Sequence, residues 1–405
     1  MRWLIFILLY ILIDLYAFQA FRTLSKNFWL AGIYIFISIA VLFVFIYTLS
    51  NLDRSTGIAT REMYIMGWFL VLFVPKLILI VVLFGEDIVR FILSIFNSLF
   101  GESTTYEMPS RRKFVSAIAL GIAAIPFASL IYGMYKGKYR YRVLSYTLEF
   151  DDLPEAFDGY QITQISDIHS GSFDDASKIK YGIDLINEQE SDVILFTGDL
   201  VNNFASEMKP WTGLFSSLKA KDGVYSVLGN HDYGDYADWS SQAEKSANLE
   251  SLKTLEAEMG WQLLLNEHKF ITRGEQKIAL VGVENWGTGF KQVGDIDKAS
   301  AGLSSGDFKI LMSHDPSYWA ERLKKDSKNY QLTLSGHTHG MQFGIEIPGW
   351  IRWSPVQYRY ENWAGIYKEG NRVLNVNRGF GYLGYPGRVG IWPEVTVIKL
   401  KKKRY

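Results

Sequence analysis

The chain has 405 residues, 42 Lys and Arg against 42 Asp and Glu, and a hydrophobic share of 48%. A net charge of zero excludes the broad basic field of a nucleic-acid binder. The absence of cysteine excludes a disulfide framework and a thiolate metal site. The average hides a division. The first 135 residues are dominated by Leu, Ile, Phe and Val, while the rest alternates strand-like runs with charged loops, so the length resolves into two domains.

Four apolar stretches, near 3–21, 28–49, 64–84 and 114–135, are long enough to cross a bilayer as helices, since about 20 residues at ~1.5 Å each span the hydrocarbon core. Trp3, Trp29 and Trp68 lie close to their ends, where indoles favour the interface. The segment Ile88 to Phe100 is shorter, is interrupted by Arg90 and Asn97, and reads as a separate interfacial helix. Asp14 and Lys76 fall near mid-span, where either alone costs about 2.5–3.5 kcal/mol. They either pair across the bundle or reach water independently. Four spans put both termini on one side. The run Ser110-Arg111-Arg112-Lys113-Phe114-Val115 is similar to a twin-arginine export signal, and an ordinary positive-inside flank orients the span the same way. The expectation is an integral cytoplasmic (inner) membrane protein with an extracytoplasmic C-terminal domain.

Residues 136–142 form a basic link, and the alternation of Val143 to Leu148 opens the domain spanning 143–405. Five β-prone runs follow: Tyr160 to Ile165, Val193 to Thr197, Val224 to Val227, Lys309 to Met312 and Gln331 to Leu334. Helical spacing appears over Ser177 to Glu188 and Ala247 to Met259. Each β-prone run precedes a motif: Asp167-Ile168-His169, Gly198-Asp199, Gly229-Asn230-His231-Asp232, Ser313-His314-Asp315 and Gly336-His337-Thr338-His339-Gly340. Five of the six histidines fall in these motifs, a clustering that marks a metal site. Strands ending in ligand-bearing loops gather residues distant in sequence at one sheet edge. Imidazole, carboxylate and amide donors suit hard or borderline divalent ions. The basic run Lys399 to Arg404 reads as a solvated tail.

In order and spacing, these five motifs resemble those of the calcineurin-like metallophosphoesterases, over about residues 143 to 400, with closest similarity to a membrane-linked branch. The resemblance implies an α/β metallophosphoesterase domain, a two-sheet β-sandwich flanked by helices, behind the N-terminal four-helix transmembrane region. It implies two divalent metal ions (Mn, Fe, Zn or Co) as cofactors. Asp199 would bridge them, with Asp167, His169 and His339 completing one site and Asn230, His314 and His337 the other. Two ions about 3.5–4 Å apart neutralise phosphoryl charge and acidify a shared water. His231 corresponds to the family's proton donor, with Asp232 expected to orient or charge-stabilise it. Arg378 and Arg388 resemble a C-terminal feature of the branch, where arginine can grip a phosphate bidentately or form structural salt bridges.

Asn202 stands where many relatives carry Asp, and Met341 where the branch often has Gly; Met341 narrows access to the metals or packs. His268, in Asn266-Glu267-His268-Lys269, reads as a solvated turn residue. The aromatic stretch from Ile347 through Trp350, Trp353, Tyr358, Tyr360 and Trp363 either packs under the sandwich or forms a membrane-facing lip that admits a lipid tail. The functional expectation is a membrane-anchored phosphohydrolase acting on a phosphodiester or pyrophosphate. Its partners would be a phosphorylated small-molecule or lipid substrate and membrane lipids, with no nucleic acid. If the domain faces the cytoplasm, a nucleotide-linked precursor such as UDP-diacylglucosamine becomes the expected substrate. A membrane sensor or scaffold with an inactive phosphoesterase domain is the reading from a different class.

Overall fold

The structure, a computed structural model, describes residues 2–100, 109–347 and 349–404; Pro348 and Tyr405, within segments discussed above, lie outside the described residues. Two units emerge: Met1–Leu52 with Arg61–Met134, and Asp53–Thr60 with Tyr135–Tyr405.

In the first unit the apolar stretches form α1 (Arg2–Leu24), α2 (Phe28–Ser50), α3 (Thr60–Phe100) and α4 (Pro109–Tyr135). All four contain segments long and apolar enough to cross a membrane. Asn27 starts α2 by accepting at Oδ1 from the amides of Trp29 (2.8 Å) and Leu30 (3.4 Å). The separate interfacial helix expected over Ile88–Phe100 is not formed; those residues continue α3 to a length of 41. The segment holds neither Gly nor Pro, so nothing in it stops the helix. Arg90, expected to break the segment, instead lies 3.8 Å from Glu86 and 3.5 Å from Asp87 on the same helix, at the i,i+4 and i,i+3 spacings that support helix. At ~1.5 Å per residue α3 is about twice as long as the hydrocarbon core is thick.

Asp14 and Lys76 do pair, at 2.6 Å. The Tyr34 hydroxyl donates to Asp14 at 2.9 Å, and the Lys76 ammonium donates to Ser38 Oγ (2.8 Å) and the Tyr10 hydroxyl (3.1 Å). Three helices thus share one buried polar knot. Lys76→Met is expected to destabilise the bundle by about 3 kcal/mol, because Asp14, only partly exposed, is left without its counter-ion. The double variant with Asp14→Leu should recover most of that loss in detergent unfolding; equal losses in both would refute the coupling. Arg111 and Arg112 lie 3.8 Å from Glu86 and 4.0 Å from Asp87 respectively, so the arginine pair is engaged within the bundle.

The second unit is built from β1 (Arg142–Phe150), β2 (Gln161–Ile165), α5 (Ala176–Asn187), β3 (Val193–Phe196), α6 (Thr212–Phe215), β4 (Val224–Ser226), α7 (Gln242–Glu258) and β5 (Trp261–Leu263). It continues through β6 (Glu267–Arg273), β7 (Gln276–Gly282), α8 (Ile296–Ala299), β8 (Lys309–Met312), α9 (Ser317–Glu321), β9 (Leu332–Ser335), β10 (Ile345–Ile347), β11 (Ile351–Trp353), β12 (Gly365–Glu369), β13 (Arg372–Val376) and β14 (Glu394–Lys402). One sheet runs β1-β14-β2-β3-β4-β5 and the other β12-β13-β9-β8-β7-β6, while β10 and β11 form a separate hairpin. Ile162 and Leu195 of the first sheet share a core with Leu280, Ile310 and Leu332 of the second. This is the expected two-sheet sandwich. Ile179 and Ile183 of α5 and Leu252 of α7 cover the first sheet's outer face, and Ile296 of α8 with Trp319 of α9 covers the second's.

One expectation about the end of the chain is corrected. Residues 399–402 are not a tail but the end of β14, paired with β1 on one side and, through Lys399, with β2 on the other. Alternation explains it: Ile398 and Leu400 are buried while Lys399 and Lys401 point outward. In the basic link, Lys138 is buried, its ammonium 2.5 Å from Asp174 Oδ2 and 3.2 Å from the Tyr382 hydroxyl.

Glu256 of α7 is fully buried, its carboxyl meeting the Ser226 hydroxyl on β4. Burial pushes its pKa from 4.5 up to about 8. The unfolded chain therefore ionises at lower pH than the folded one, and this residue's contribution to stability, full below pH 4.5, is lost as pH rises toward about 8. Glu256→Gln should raise the melting temperature at pH 8 by at least roughly 2–4 °C, the shift that about 1 kcal/mol produces in a domain of this size. At pH 4.5 wild type and variant should melt together; a pH-independent difference would show that ionisation is not the cause.

Candidate metal centre

Strand register gathers the motifs. Ile165, Phe196 and Ser226 pair across β2, β3 and β4, so Asp167, Asp199 and Asn230 hang just beyond one aligned row. Met312 pairs with Leu334 across β8 and β9, which sets His314 and His337 beyond the matching edge of the second sheet. Gln164 ties the sheets near this edge, donating to the Ser335 carbonyl (2.9 Å) while Asn375 donates to its Oε1 (2.7 Å).

Two clusters result, Asp167 with His169 and His339, and Asp199 with His314 and His337; in each, the candidate ligand atoms lie within 4.8 Å of one another. In the first, His169 Nε2 is 3.0 Å from His339 Nε2, and His339 Nε2 is 3.3 Å from Asp167 Oδ1. In the second, His314 Nε2 is 3.1 Å from Asp199 Oδ2, and His337 Nδ1 is 3.3 Å from His314 Nε2 and 2.8 Å from Asn230 Oδ1. Asp199 Oδ2 is also 3.5 Å from His169 Nε2, so one carboxylate oxygen lies between the clusters.

The backbone is strained where it presents these groups. Asp167, His169, Asp199, His337 and His339 all have φ between 48° and 71°, a conformation costing of order 1–3 kcal/mol for a residue other than glycine. Hydrogen bonds help hold it: the His337 amide donates to Asp167 at 3.0 Å, and the His169 amide to the Asp199 carbonyl at 3.1 Å. Glycine is required beside them. A Cβ on Gly336 would sit 2.3 Å from Asp167 Oδ2, and one on Gly229 2.2 Å from Asp199 Oδ1.

Surrounding groups fix the imidazoles. The Thr197 carbonyl takes the His314 Nδ1 proton (2.7 Å), leaving Nε2 to face Asp199. Asn202 Oδ1 lies 3.1 Å from His169 Nδ1 and can accept its proton. His337 Nε2 meets the Tyr360 hydroxyl at 2.8 Å and Asp315 Oδ2 at 3.3 Å, which turns Nδ1 inward. Asn230 donates its amide hydrogen to the Tyr236 hydroxyl at 2.8 Å, which aims its oxygen at His337. Burial lowers the His169 pKa to about 3 and that of His337 to about 4, and it holds His339, beside His169 and Arg388, well below the usual range. These rings keep lone pairs free for a cation. At His314 burial opposes charge, but the Asp199 carboxylate outweighs it and raises the pKa to about 10. Positive charge is thus favoured between His314 and Asp199, and a divalent ion meets the same demand. Four imidazoles, two carboxylates and an amide oxygen, with no thiolate, fit hard or borderline divalent ions.

Comparison with known proteins agrees with this geometry. Residues 1–138 match the family model described as "Probable Calcineurin-like phosphoesterase, transmembrane domain", and residues 160–341 match "Calcineurin-like phosphoesterase". The "Uncharacterized metallophosphoesterase YkuE" of Bacillus subtilis is 30% identical over 298 residues, an alignment covering 72% of this chain and 98% of that protein. The chain belongs to the calcineurin-like metallophosphoesterase family. A zebrafish (Danio rerio) "Transmembrane protein with metallophosphoesterase domain" is 28% identical over 71% of this chain and 63% of its own length. An "Uncharacterized metallophosphoesterase" of Helicobacter pylori (strain J99) is 27% identical over 78% of this chain and 80% of that one. With its four apolar helices, this metallophosphoesterase is a membrane protein.

Several residues stand elsewhere than the sequence suggested. Asp232 does not orient His231; its carboxylate accepts from the amides of Asp199 (2.9 Å), Leu200 (2.8 Å), Val201 (3.3 Å) and Gly229 (2.8 Å). It pins two motif loops together, and the Asn202 carbonyl, 2.8 Å from Nδ1, orients His231 instead. Neither arginine is free to grip a substrate. Arg378 is buried between Glu394 and Glu346, each at 2.5 Å. Arg388, also buried, donates to the Gly381 carbonyl (2.7 and 2.8 Å) and contacts His339 Nδ1 at 3.2 Å. Their charges are taken up by partners 7 to 49 residues away in sequence. His268 lies on β6 rather than in a solvated turn, its Nδ1 bonded to the Ala299 carbonyl at 2.8 Å. Sequence motifs had given no roles to Tyr236, Asp315 and Tyr360; only Asp315, next to His314, carried a positional signal. Tyr360 and Trp363 pack in a small core with Ile391, whereas Trp350, Trp353 and Tyr358 are exposed.

Proposed function

We propose that this protein is a membrane-anchored phosphohydrolase that uses two divalent ions (Mn, Fe, Zn or Co) to cleave a phosphodiester or pyrophosphate bond in a lipid-linked or cell-envelope substrate. The observation that carries this reading is the single Asp199 oxygen lying between two buried Asp/His clusters. Asp167, His169, Asp199 and His339 would hold one ion, and Asp199, Asn230, His314 and His337 the other. Bound there, the ions supply Lewis acidity, neutralising phosphoryl charge and acidifying water. His231 is partly buried and its Nδ1 donates to a carbonyl, which leaves Nε2 to protonate the departing oxygen. Intact ligand positions weigh against an inactive scaffold.

The test is hydrolysis by the full chain in nanodiscs with Mn supplied. Bis(p-nitrophenyl) phosphate should be cleaved faster than p-nitrophenyl phosphate. A protein holding two ions per chain that cleaves neither would overturn the proposal. The export-like arginine motif favours an extracytoplasmic domain. Because the chain lacks cysteine, a Ser305→Cys variant labelled by an impermeant maleimide in intact cells would support that side and an envelope phosphodiester. Labelling only after lysis would support the cytoplasmic side and a nucleotide-linked lipid precursor of the UDP-diacylglucosamine type.

A further inference from the structure

The β10–β11 hairpin is inside out. Ile345 pairs directly with Trp353 and Ile347 with Ile351, so these four side chains share one face, while Glu346 pairs with Arg352 on the other. The charged face turns to protein: Glu346 meets Arg378 at 2.5 Å, and Arg352 donates to the Ala364 carbonyl at 2.8 Å. The apolar face turns out, with Ile345 50%, Ile347 43%, Ile351 39% and Trp353 37% exposed, and Trp350 in the connecting turn and nearby Tyr358 are each 81% exposed. Beyond residue 135, the described large apolar side chains that are exposed are Tyr181, Tyr236, Phe270, Val293, Met341, Ile345, Ile347, Trp350, Ile351, Trp353 and Tyr358. Seven of these eleven fall within residues 341–358, which makes this a patch rather than scatter. A two-stranded hairpin is marginal in water by itself, and a contiguous apolar patch of this kind calls for a partner.

The patch is joined to the metal centre. Met341 is two residues beyond His339, and the Ser354 hydroxyl, following β11, donates to the Gly340 carbonyl at 2.7 Å. Tyr360 continues from it to His337 at 2.8 Å. Arg359 is exposed and lies 5.1 Å from the Phe290 ring centroid, and that ring is 4.7 Å from the His337 ring. Apolar surface therefore passes into a cation and then into the candidate ligands. This is the order of parts in an amphiphile with an acyl tail and an anionic head.

We propose that the β10–β11 hairpin is a lipid-engaging lip of the catalytic centre: its apolar face enters the interfacial layer of a bilayer and lies against the acyl part of a phospholipid-like substrate. Trp and Tyr favour that layer, and the four spans keep this chain at a bilayer. The proposal rests on the phosphohydrolase reading for its kinetic arm alone.

The experiment uses the full cysteine-free chain with Trp350→Cys, labelled with an environment-sensitive NBD dye and placed one copy per nanodisc of phosphatidylethanolamine and phosphatidylglycerol. Lipid contact predicts a blue-shifted emission, quenched at least twofold more by doxyl-labelled phospholipids than the same dye at Ser305→Cys. Water-like emission, or shielded emission that lipid-borne quenchers do not reach, overturns the proposal, the second outcome pointing to protein as the cover. In the kinetic arm, Ile347→Ser/Trp353→Ser should lower the ratio of activity on a long-chain phosphodiester in bilayers to activity on bis(p-nitrophenyl) phosphate about tenfold. An unchanged ratio overturns the acyl contact. Wild type inert toward both substrates would defeat the phosphohydrolase reading, while the quenching result would still decide the lip.

Discussion

Asp199→Asn is expected to abolish measurable hydrolysis, with a loss on the order of a thousandfold, and to reduce bound metal from about two ions per chain to one or none. Asp199 Oδ2 faces His169 at 3.5 Å and His314 at 3.1 Å, so neutralising this carboxylate removes negative charge from both clusters at once. Metal-derived stabilisation of a phosphoryl transition state is worth several kcal/mol, and about 1.4 kcal/mol corresponds to tenfold in rate. The asparagine keeps an oxygen for the His231 amide, which donates to Asp199 Oδ1 at 2.9 Å; the loop should therefore hold its shape. Elemental analysis beside a melting curve checks this. Full activity with one bridging charge missing would sink the two-ion reading.

His231→Gln should separate proton donation from metal binding. General acid catalysis contributes about 10²–10⁴-fold, so the variant should lose roughly that much on a substrate with an alkoxide leaving group. On a p-nitrophenyl ester the loss should be small, because nitrophenolate departs without a proton. Metal content should stay unchanged, since the His231 ring is set outside both clusters by the Asn202 carbonyl. Equal losses on both substrates, or loss of metal, would reassign His231 to binding. The contrast is sharper than for Asp232, whose four amide contacts make its removal a structural injury first.

Much of the centre was legible because its parts are local. A β-prone run followed within a few residues by Asp, Asn or His announces a strand with a loaded loop, and five repeats of that pattern fall at β2, β3, β4, β8 and β9. For Asp14 and Lys76 the need was legible, since a charge within an apolar span must find a partner or water, while the choice of pairing came from the structure. Motif glycines were legible as motif members, although the close approach that makes a Cβ impossible at Gly229 and Gly336 appears only in three dimensions.

The sequence by itself determined the two-part organisation, the four apolar spans of the first part, the strand-and-loop grammar of the second and the identity of the clustered donors. Those properties follow from hydrophobic period and from side-chain chemistry at neighbouring positions. The tertiary structure decided what each polar group spends its hydrogen bonds on. Arg378 and Arg388, open between substrate clamps and structural ties, became ties, Asp232 went from an orienting partner of His231 to an anchor for two loops, and residues 399–402 from a tail to an inner strand. It also decided which face of a three-residue strand looks outward. Period-two alternation gives two faces but not their direction; contacts from Arg378 and Ala364, far along the chain, turned the charged face of the β10–β11 hairpin inward and left its isoleucines and tryptophan outside.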